Sequence, residues 1–262
     1  MAREAWSSGE RYEPFVGRWS RLVVAELIDW LRPGPGLRWA DVGCGTGVVT
    51  GALLDRTQPA WVVGVDRSRG YLRHAAETLG GSRASFTVGD ACDLPLPATI
   101  TDGVVCGLLL NFVTDASRAA HELRRVARPG ATVAAYVWDY SDGMQLLRFF
   151  WDAAVALDPG AVELDEGRRF PLCHRDALGA LFADAGFAAV DTREVVVPTV
   201  FRDVDDYWTP FLGGEGPAPG YCVSLPAAER ERLRARLLSA LPVRDDGSVH
   251  LTARAWAVRG TA

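Results

Sequence analysis

Apolar residues recur at helical spacing over residues 14–32, where Leu22, Val23, Leu27, Ile28 and Leu31 predict a helix that the PGPG at 33–36 ends. Beyond it, short apolar runs alternate with helical patterns. Strands are predicted at Leu37–Val42, Trp61–Val65, Ser85–Val88, Gly103–Leu110 and Ala131–Trp138, and helices at Val48–Asp55, Arg69–Leu79 and Ala116–Val126. Short β-rich runs joined by single helices imply βαβ crossovers and a parallel sheet. Strands without polar alternation, such as VVCGLLL, suit a sheet covered on both faces. After residue 138 the pattern changes. Arg175–Ala185 reads as a helix with Gly186 as its C-cap, and Phe187–Val197 and Ser248–Gly260 are the remaining strand candidates. Two aromatic, Gly/Pro-rich stretches, 139–172 and 201–245, are too long for plain connections and read as insertions forming a lid or pocket wall.

Composition narrows the chemistry. All 28 basic residues of this 262-residue chain are Arg, so lysine Schiff bases and a P-loop lysine are excluded. A net charge of −5 argues against a nucleic-acid partner, because phosphate neutralisation needs clustered basic groups. The densest Arg stretch, Arg230 to Arg236, is interleaved with Glu229 and Glu231 and reads as a solvated helix face. The five cysteines are scattered without a CxxC pair, which suits a reducing compartment. The four histidines lack metal-ligand spacing, so no metal site is expected. The start carries acids and no apolar core, and the longest apolar run is far below a membrane span, so a cytoplasmic protein without membrane insertion is expected.

Three segments carry the candidate chemistry. Asp41-Val42-Gly43-Cys44-Gly45-Thr46-Gly47 follows the first strand and leads into a helix. A tight strand-to-helix turn needs glycines if a ligand is to approach the backbone, and the helix start offers unpaired N–H groups. Val48 stands where a dinucleotide fingerprint needs its third glycine, which disfavours a nicotinamide-dependent reductase, and G-K-[ST] is missing. Asp66 ends the next strand and can accept from both hydroxyls of a ribose, or cap the helix that follows. Gly89-Asp90-Ala91, followed by Leu94-Pro95, ends the third strand, where a carboxylate can accept from an adenine amine and the Ala91 N–H can reach a ring nitrogen.

ADVGCGTG, GVDRS, GDACDLP, DGVVCGLLLNF and LRRVARPGATVAAYVW resemble the ordered motifs of class I S-adenosylmethionine-dependent methyltransferases, in particular the small-molecule branch that includes the ubiquinone/menaquinone C-methyltransferases. The resemblance covers residues 37–138 firmly. It implies an α/β fold with a Rossmann-like seven-stranded sheet, helices on both faces and a reversed last strand. It also implies that Gly43, Cys44 and Gly45 line the methionine moiety, that Asp66 holds the ribose and Arg67 flanks the adenine, that Asp90 and Ala91 read the adenine edge, and that Gly107 and Leu108 border the cofactor near the sulfonium. The chain then divides as a single domain: 1–32 an N-terminal helical cap, 33–138 the cofactor-binding core, 139–172 and 201–245 the lid, 173–200 and 246–262 the closing helix and strands. Quinone-branch relatives often carry His near position 111, whereas this chain has Asn111.

The expected activity is methyl transfer from S-adenosylmethionine, leaving S-adenosylhomocysteine, to a small apolar or aromatic acceptor. The alternative is a cofactor-binding relative with cyclase-type chemistry. A base is needed only if the acceptor must lose a proton. Asp139, at the cofactor edge of the sheet, and His174, beside the second-half helix, are the candidates, with Tyr140, His121 and an orienting Asn111 behind them. Trp19 in GRWSR either closes over the cofactor's amino-acid end or packs in the core. The lid aromatics Phe149, Phe150, Trp151, Tyr207, Trp208, Phe211 and Tyr221 form either an acceptor pocket or a satellite core.

Overall fold

A computed structural model describes residues 17–81, 83–214 and 216–262. Helix α1 spans Arg18–Leu31; the start of the helix expected from residue 14 lies outside the described residues. Strand β1 (Arg38–Val42), helix α2 (Val48–Thr57), β2 (Trp61–Asp66), α3 (Arg69–Leu79), β3 (Ala84–Val88), β4 (Thr101–Gly107), α4 (Ala116–Val126) and β5 (Ala127–Trp138) follow in the expected order. Then come α5 (Gln145–Leu157), a 3-10 turn (Pro159–Leu164), α6 (Glu166–Arg169), α7 (Arg175–Asp184) and β6 (Ala188–Phe201). The chain closes with α8 (Val204–Trp208), a second 3-10 turn (Thr209–Gly213), α9 (Pro217–Ser224), α10 (Ala227–Ala240) and β7 (Val249–Thr261).

The seven strands form one mixed sheet in the order β3-β2-β1-β4-β5-β7-β6, with helices around it. The first five run parallel, and the registers Val42↔Val65, Val42↔Cys106, Asp66↔Val88 and Gly107↔Tyr136 bring their carboxyl ends to one edge. That edge is where open α/β sheets bind ligands. Strand β7 runs against β5: Ala262, just past its end, bonds Gly130 and Ala131, whereas Arg254 accepts from Asp139 beyond the other end of β5. The reversed strand anticipated from the motif resemblance is therefore present.

One expectation is corrected. The strand predicted to continue to Leu110 stops at Gly107, because Leu108 takes a left-handed conformation (φ 54°) while its N–H still bonds Tyr136 O. The turn sends Leu109 against the glycine loop, where a Cβ on Gly43 would lie 2.6 Å from Leu109 Cδ2.

The chain clusters into two compact units. The larger comprises 20–137, 172–195 and 255–262, and its core is apolar strand residues such as Trp39, Val104 and Ala134. Helix α7 ends in it as predicted: Gly186 adopts φ +81°, Phe187 N–H reaches back to Phe182 O, and the two rings stack at 4.8 Å. The smaller unit holds Gly17–Trp19, 138–171 and 196–254, so the two stretches read as insertions fold largely into helices. Its centre is a chain of rings, Phe201–Tyr207–Phe211–Phe150–Trp151, all fully or almost fully buried, with Phe150 and Phe211 stacked at 4.5 Å. Among the described residues no helix is long and apolar enough to cross a membrane.

Candidate functional site

The glycine loop lies in the larger unit and is held by β2. Gly43 and Cys44 N–H groups both donate to Val65 O, at 2.7 and 3.1 Å, and Gly45 N–H donates to Asp66 Oδ2 at 2.9 Å. Gly45 has a positive φ (52°), and a Cβ built on it would meet nothing within 4 Å. The backbone there faces open space, as a cradle for a ligand requires.

Asp41 supplies what the following helix lacks. Helix α2 starts from Gly47 with no side-chain cap. Instead Asp41 Oδ2, reaching from β1, accepts from Thr50 N–H (2.9 Å) and Thr50 Oγ1 (2.7 Å). Asp41 is fully buried and its Oδ1 has no partner, so burial pushes its pKa up to about 7 against the opposing Thr50 hydrogen bonds. A proton on Oδ1 fits this arrangement. Cys44 is buried beneath the loop and burial pushes its thiol pKa upward, so it acts as a packing residue rather than a nucleophile.

Asp66 is half-buried, and the cap of the helix that follows is Ser68 rather than Asp66 itself. The Asp66 Oδ2 accepts from Gly45 and its Oδ1 from Ser68 N–H at 2.7 Å, while Ser68 Oγ caps α3 by accepting from Tyr71 N–H. Each carboxylate oxygen keeps a lone pair for a further donor. Asp90, at the tip of β3, is likewise half-buried and accepts from Cys92 N–H at 2.9 Å, and Ala91 beside it is buried. Arg67 is exposed. Gly107 lies against the Tyr136 ring, where a Cβ would sit 2.6 Å from Cε1, and Leu108 follows it in the turn described above. The larger unit thus brings together Gly43, Cys44, Gly45, Asp66, Asp90, Ala91, Gly107 and Leu108 along the tips of four neighbouring strands.

A brace that spacing alone did not reveal holds the Asp90 loop. Glu122 of α4 accepts Leu94 N–H at 2.7 Å and pairs with Arg125, which in turn donates to Leu94 O and Leu96 O. The Arg125 hydrogen bond, opposed by burial, keeps the Glu122 pKa below the usual range. Arg118 Nε adds a 2.6 Å bond to Cys92 O. The signal was in HELRRVA, whose charges follow i, i+3 spacing on the helix that faces the loop.

The two residues put forward as bases differ in their settings. Asp139 belongs to the smaller unit and is buried, with its carboxylate taken up by Arg254 (2.7 Å), Ser141 Oγ (2.9 Å) and Asp142 N–H (3.2 Å). Burial raises its pKa, but the Arg254 and Ser141 hydrogen bonds outweigh that and the net shift is downward. His174 is exposed in the larger unit, at the start of α7, and makes no capping bond. His121 is exposed, its Nδ1 2.8 Å from Ser117 O, and Tyr140 is buried against Phe170. Asn111 is half-buried, and its Nδ2 finds no acceptor. Trp19 is buried in the smaller unit beside Phe201. Of the lid aromatics, Phe150, Trp151, Tyr207, Trp208 and Phe211 pack inward as a satellite core, while Tyr221 also borders a cleft of about 290 Å³ with Asp158, Glu229 and Arg232.

Known proteins agree with this geometry. The model of a methyltransferase domain matches residues 40–135, the stretch that carries the loop, both lone acids and the turn after β4. A ubiquinone/menaquinone biosynthesis C-methyltransferase from Desulfotalea psychrophila is 31% identical over 198 residues, covering 70% of this chain and 77% of that protein. The chain belongs to the class I S-adenosylmethionine-dependent methyltransferases. A demethylmenaquinone methyltransferase of Symbiobacterium thermophilum is 38% identical over 120 residues, 43% of this chain and 45% of the relative. The fold of this methyltransferase is also that of the YcgJ protein of Bacillus subtilis, with a TM-score of 0.61 at 18% identity, covering 91% of this chain and 97% of that one. Its cofactor is S-adenosylmethionine, and the open backbone at Gly45 with the two half-free carboxylates fits that molecule.

Proposed function

We propose that this methyltransferase acts on a small aromatic or apolar acceptor and works by alignment, with no side-chain base in the reaction. S-adenosylmethionine supplies a methyl carbon on a sulfonium, already activated for in-line displacement. The chain's task is to hold and orient. Asp66 accepts from the ribose hydroxyls, Asp90 and Ala91 meet the adenine edge, Arg67 flanks it, and Gly43, Cys44 and Gly45 border the amino-acid end. Gly107 and Leu108 wall the reacting side. Such positioning is worth about 7–11 kcal/mol in well-oriented reactions.

The observation that carries the alignment reading is the state of the two predicted bases: Asp139 is spent on Arg254 and Ser141, and His174 is exposed. Asp139 is then a positioning residue that ties the chain after β5 to Arg254. An acceptor with an acidic hydroxyl, such as a phenol or a hydroquinone, needs little help in losing its proton. The test is transfer of isotopically labelled methyl to a panel of phenols and hydroquinones. Label in at least one ring product, with kcat retained in His174→Gln, supports the reading. Loss of kcat in His174→Gln, with cofactor affinity intact, overturns the alignment-only mechanism.

A further inference from the structure

Methyl transfer as described gives the Asp41 carboxyl only a structural task, yet its setting is lopsided. The residue sits on β1 just ahead of the glycine loop, in the larger unit, and is 0% exposed. Oδ2 accepts from Thr50 N–H at 2.9 Å and from Thr50 Oγ1 at 2.7 Å, whereas Oδ1 has no partner. The groups that bear on this carboxyl bring it no positive charge. Asp66, at the tip of β2, repels it. Cys44 in the loop and Cys106 on β4 are thiols whose pKa burial pushes upward, so both stay protonated. Thr50 offers neutral donors from the start of α2.

A buried carboxylate without a cation is costly, and one with a bare oxygen is costlier still. Oδ1 therefore keeps a proton in the free protein, and burial, joined by the Asp66 repulsion, raises the Asp41 pKa to about 7. What these surroundings lack is a positive charge, and the guest of the adjoining loop brings one. S-adenosylmethionine carries a sulfonium; S-adenosylhomocysteine, shorter by one methyl group, does not. A nearby cation favours the ionised form of a carboxyl, so the two nucleosides act on the Asp41 proton differently.

We propose that Asp41 discriminates cofactor from product by charge: it gives up its Oδ1 proton when the sulfonium is bound, and holds that proton in the free protein and beside the product. On binding, the Asp41 O–H bond breaks and the proton passes to solvent; once the positive charge is gone, the carboxylate takes a proton back from solvent. The inference rests on the reading that sets the amino-acid end of the cofactor against Gly43, Cys44 and Gly45. Its sign follows from linkage. Below about pH 7 the free protein holds a proton that the cofactor complex has released, so affinity for S-adenosylmethionine rises with pH. Above about pH 7 the free protein is itself ionised, and the affinity levels off.

The test is calorimetry of both nucleosides into the full chain from about pH 5 to about pH 8, in buffers of different ionisation enthalpy, which counts protons directly. At about pH 6, where α-amino groups stay protonated, S-adenosylmethionine should release more than about half a proton per molecule bound, and S-adenosylhomocysteine none. The ratio of the two affinities should grow by up to about tenfold per pH unit before levelling. In Asp41→Asn, with folding verified by circular dichroism, the proton release disappears and the ratio no longer changes with pH. Thr50→Val removes a hydrogen bond that lowers the Asp41 pKa, so it should move the levelling to higher pH, a readout that does not depend on Asp41→Asn folding. Equal proton counts for the two nucleosides, a release that survives in folded Asp41→Asn, or a levelling unmoved in Thr50→Val would overturn the proposal. A wild type that binds neither nucleoside would instead overturn the cofactor-site reading on which it rests.

Discussion

At the scale of single residues, what was legible was whatever the backbone demands locally. Gly43 and Gly45 declare a turn that ordinary side chains resist, and Asp66 and Asp90 are lone acids at the ends of apolar strands, visible because strands end where polarity begins. The long-range partners were not legible. Nothing near Asp139 announces Arg254, 115 positions away, so the ion pair that occupies this carboxylate was not legible. The same holds for Asp41, whose task depends on Thr50 N–H pointing back at β1. The Asp139 pair gives a direct check. Asp139→Asn leaves the Arg254 guanidinium without its buried partner, in a setting where breaking such a pair costs about 3–5 kcal/mol at full burial. Because Arg254 is partly exposed, a loss nearer about 2 kcal/mol is expected, seen as a Tm about 4–8 °C lower at this chain length. A kcat loss without a fall in Tm would instead restore Asp139 as a base.

At the scale of elements, the 3.6 and 2 periodicities located α3 and α4 at their observed bounds and most strands to within a few residues. The exceptions have causes. Strand β4 ends early because Leu108 turns left-handed so that Leu109 can cover Gly43. The insertions were legible as insertions but not as α5, α8, α9 and α10, since their apolar residues serve an aromatic core of their own and blur the amphipathic pattern. The brace from α4 to the Asp90 loop belongs to this scale. Glu122→Ala removes the acceptor of Leu94 N–H and the partner of Arg125 together. Calorimetry is expected to show S-adenosylhomocysteine bound roughly tenfold more weakly, with a stability loss of about 1–2 kcal/mol. An unchanged affinity would mean that the loop holds its shape without α4.

At the scale of the whole molecule, the alternation of strands and helices pointed to a parallel sheet and the motif resemblance implied its reversed last strand, whereas the division into two units was not legible, because the smaller one is assembled from three separate stretches of chain. Stability as a function of pH also belongs here. The Asp41 pKa is raised from 3.8 to about 7 and that of Glu166, buried and bonded by Trp151 Nε1, from 4.5 to about 7, burial being the leading cause in both. Between those limits these two acids hold protons in the folded chain that the unfolded chain has released, so their contribution to stability falls as pH rises from about 4 to about 7. Asp41→Asn and Glu166→Gln should each flatten part of that decline in urea denaturation. Profiles of the two variants that run parallel to the wild type through this window would show that neither acid is protonated in the fold.

All of this depends on three neighbouring strand tips gripping one nucleoside, and Asp66 is the side chain between them, its Oδ2 holding the glycine loop at Gly45 and its Oδ1 the backbone of Ser68. The decisive measurement is a calorimetric titration of S-adenosylhomocysteine into the wild type and Asp66→Ala, with folding verified in both. The predicted result is clear binding to the wild type and a loss of roughly a hundredfold or more in the variant, the worth of two charge-assisted hydrogen bonds at about 1.5–3 kcal/mol each. Equal affinity in the two proteins, or no binding to the folded wild type, would contradict it.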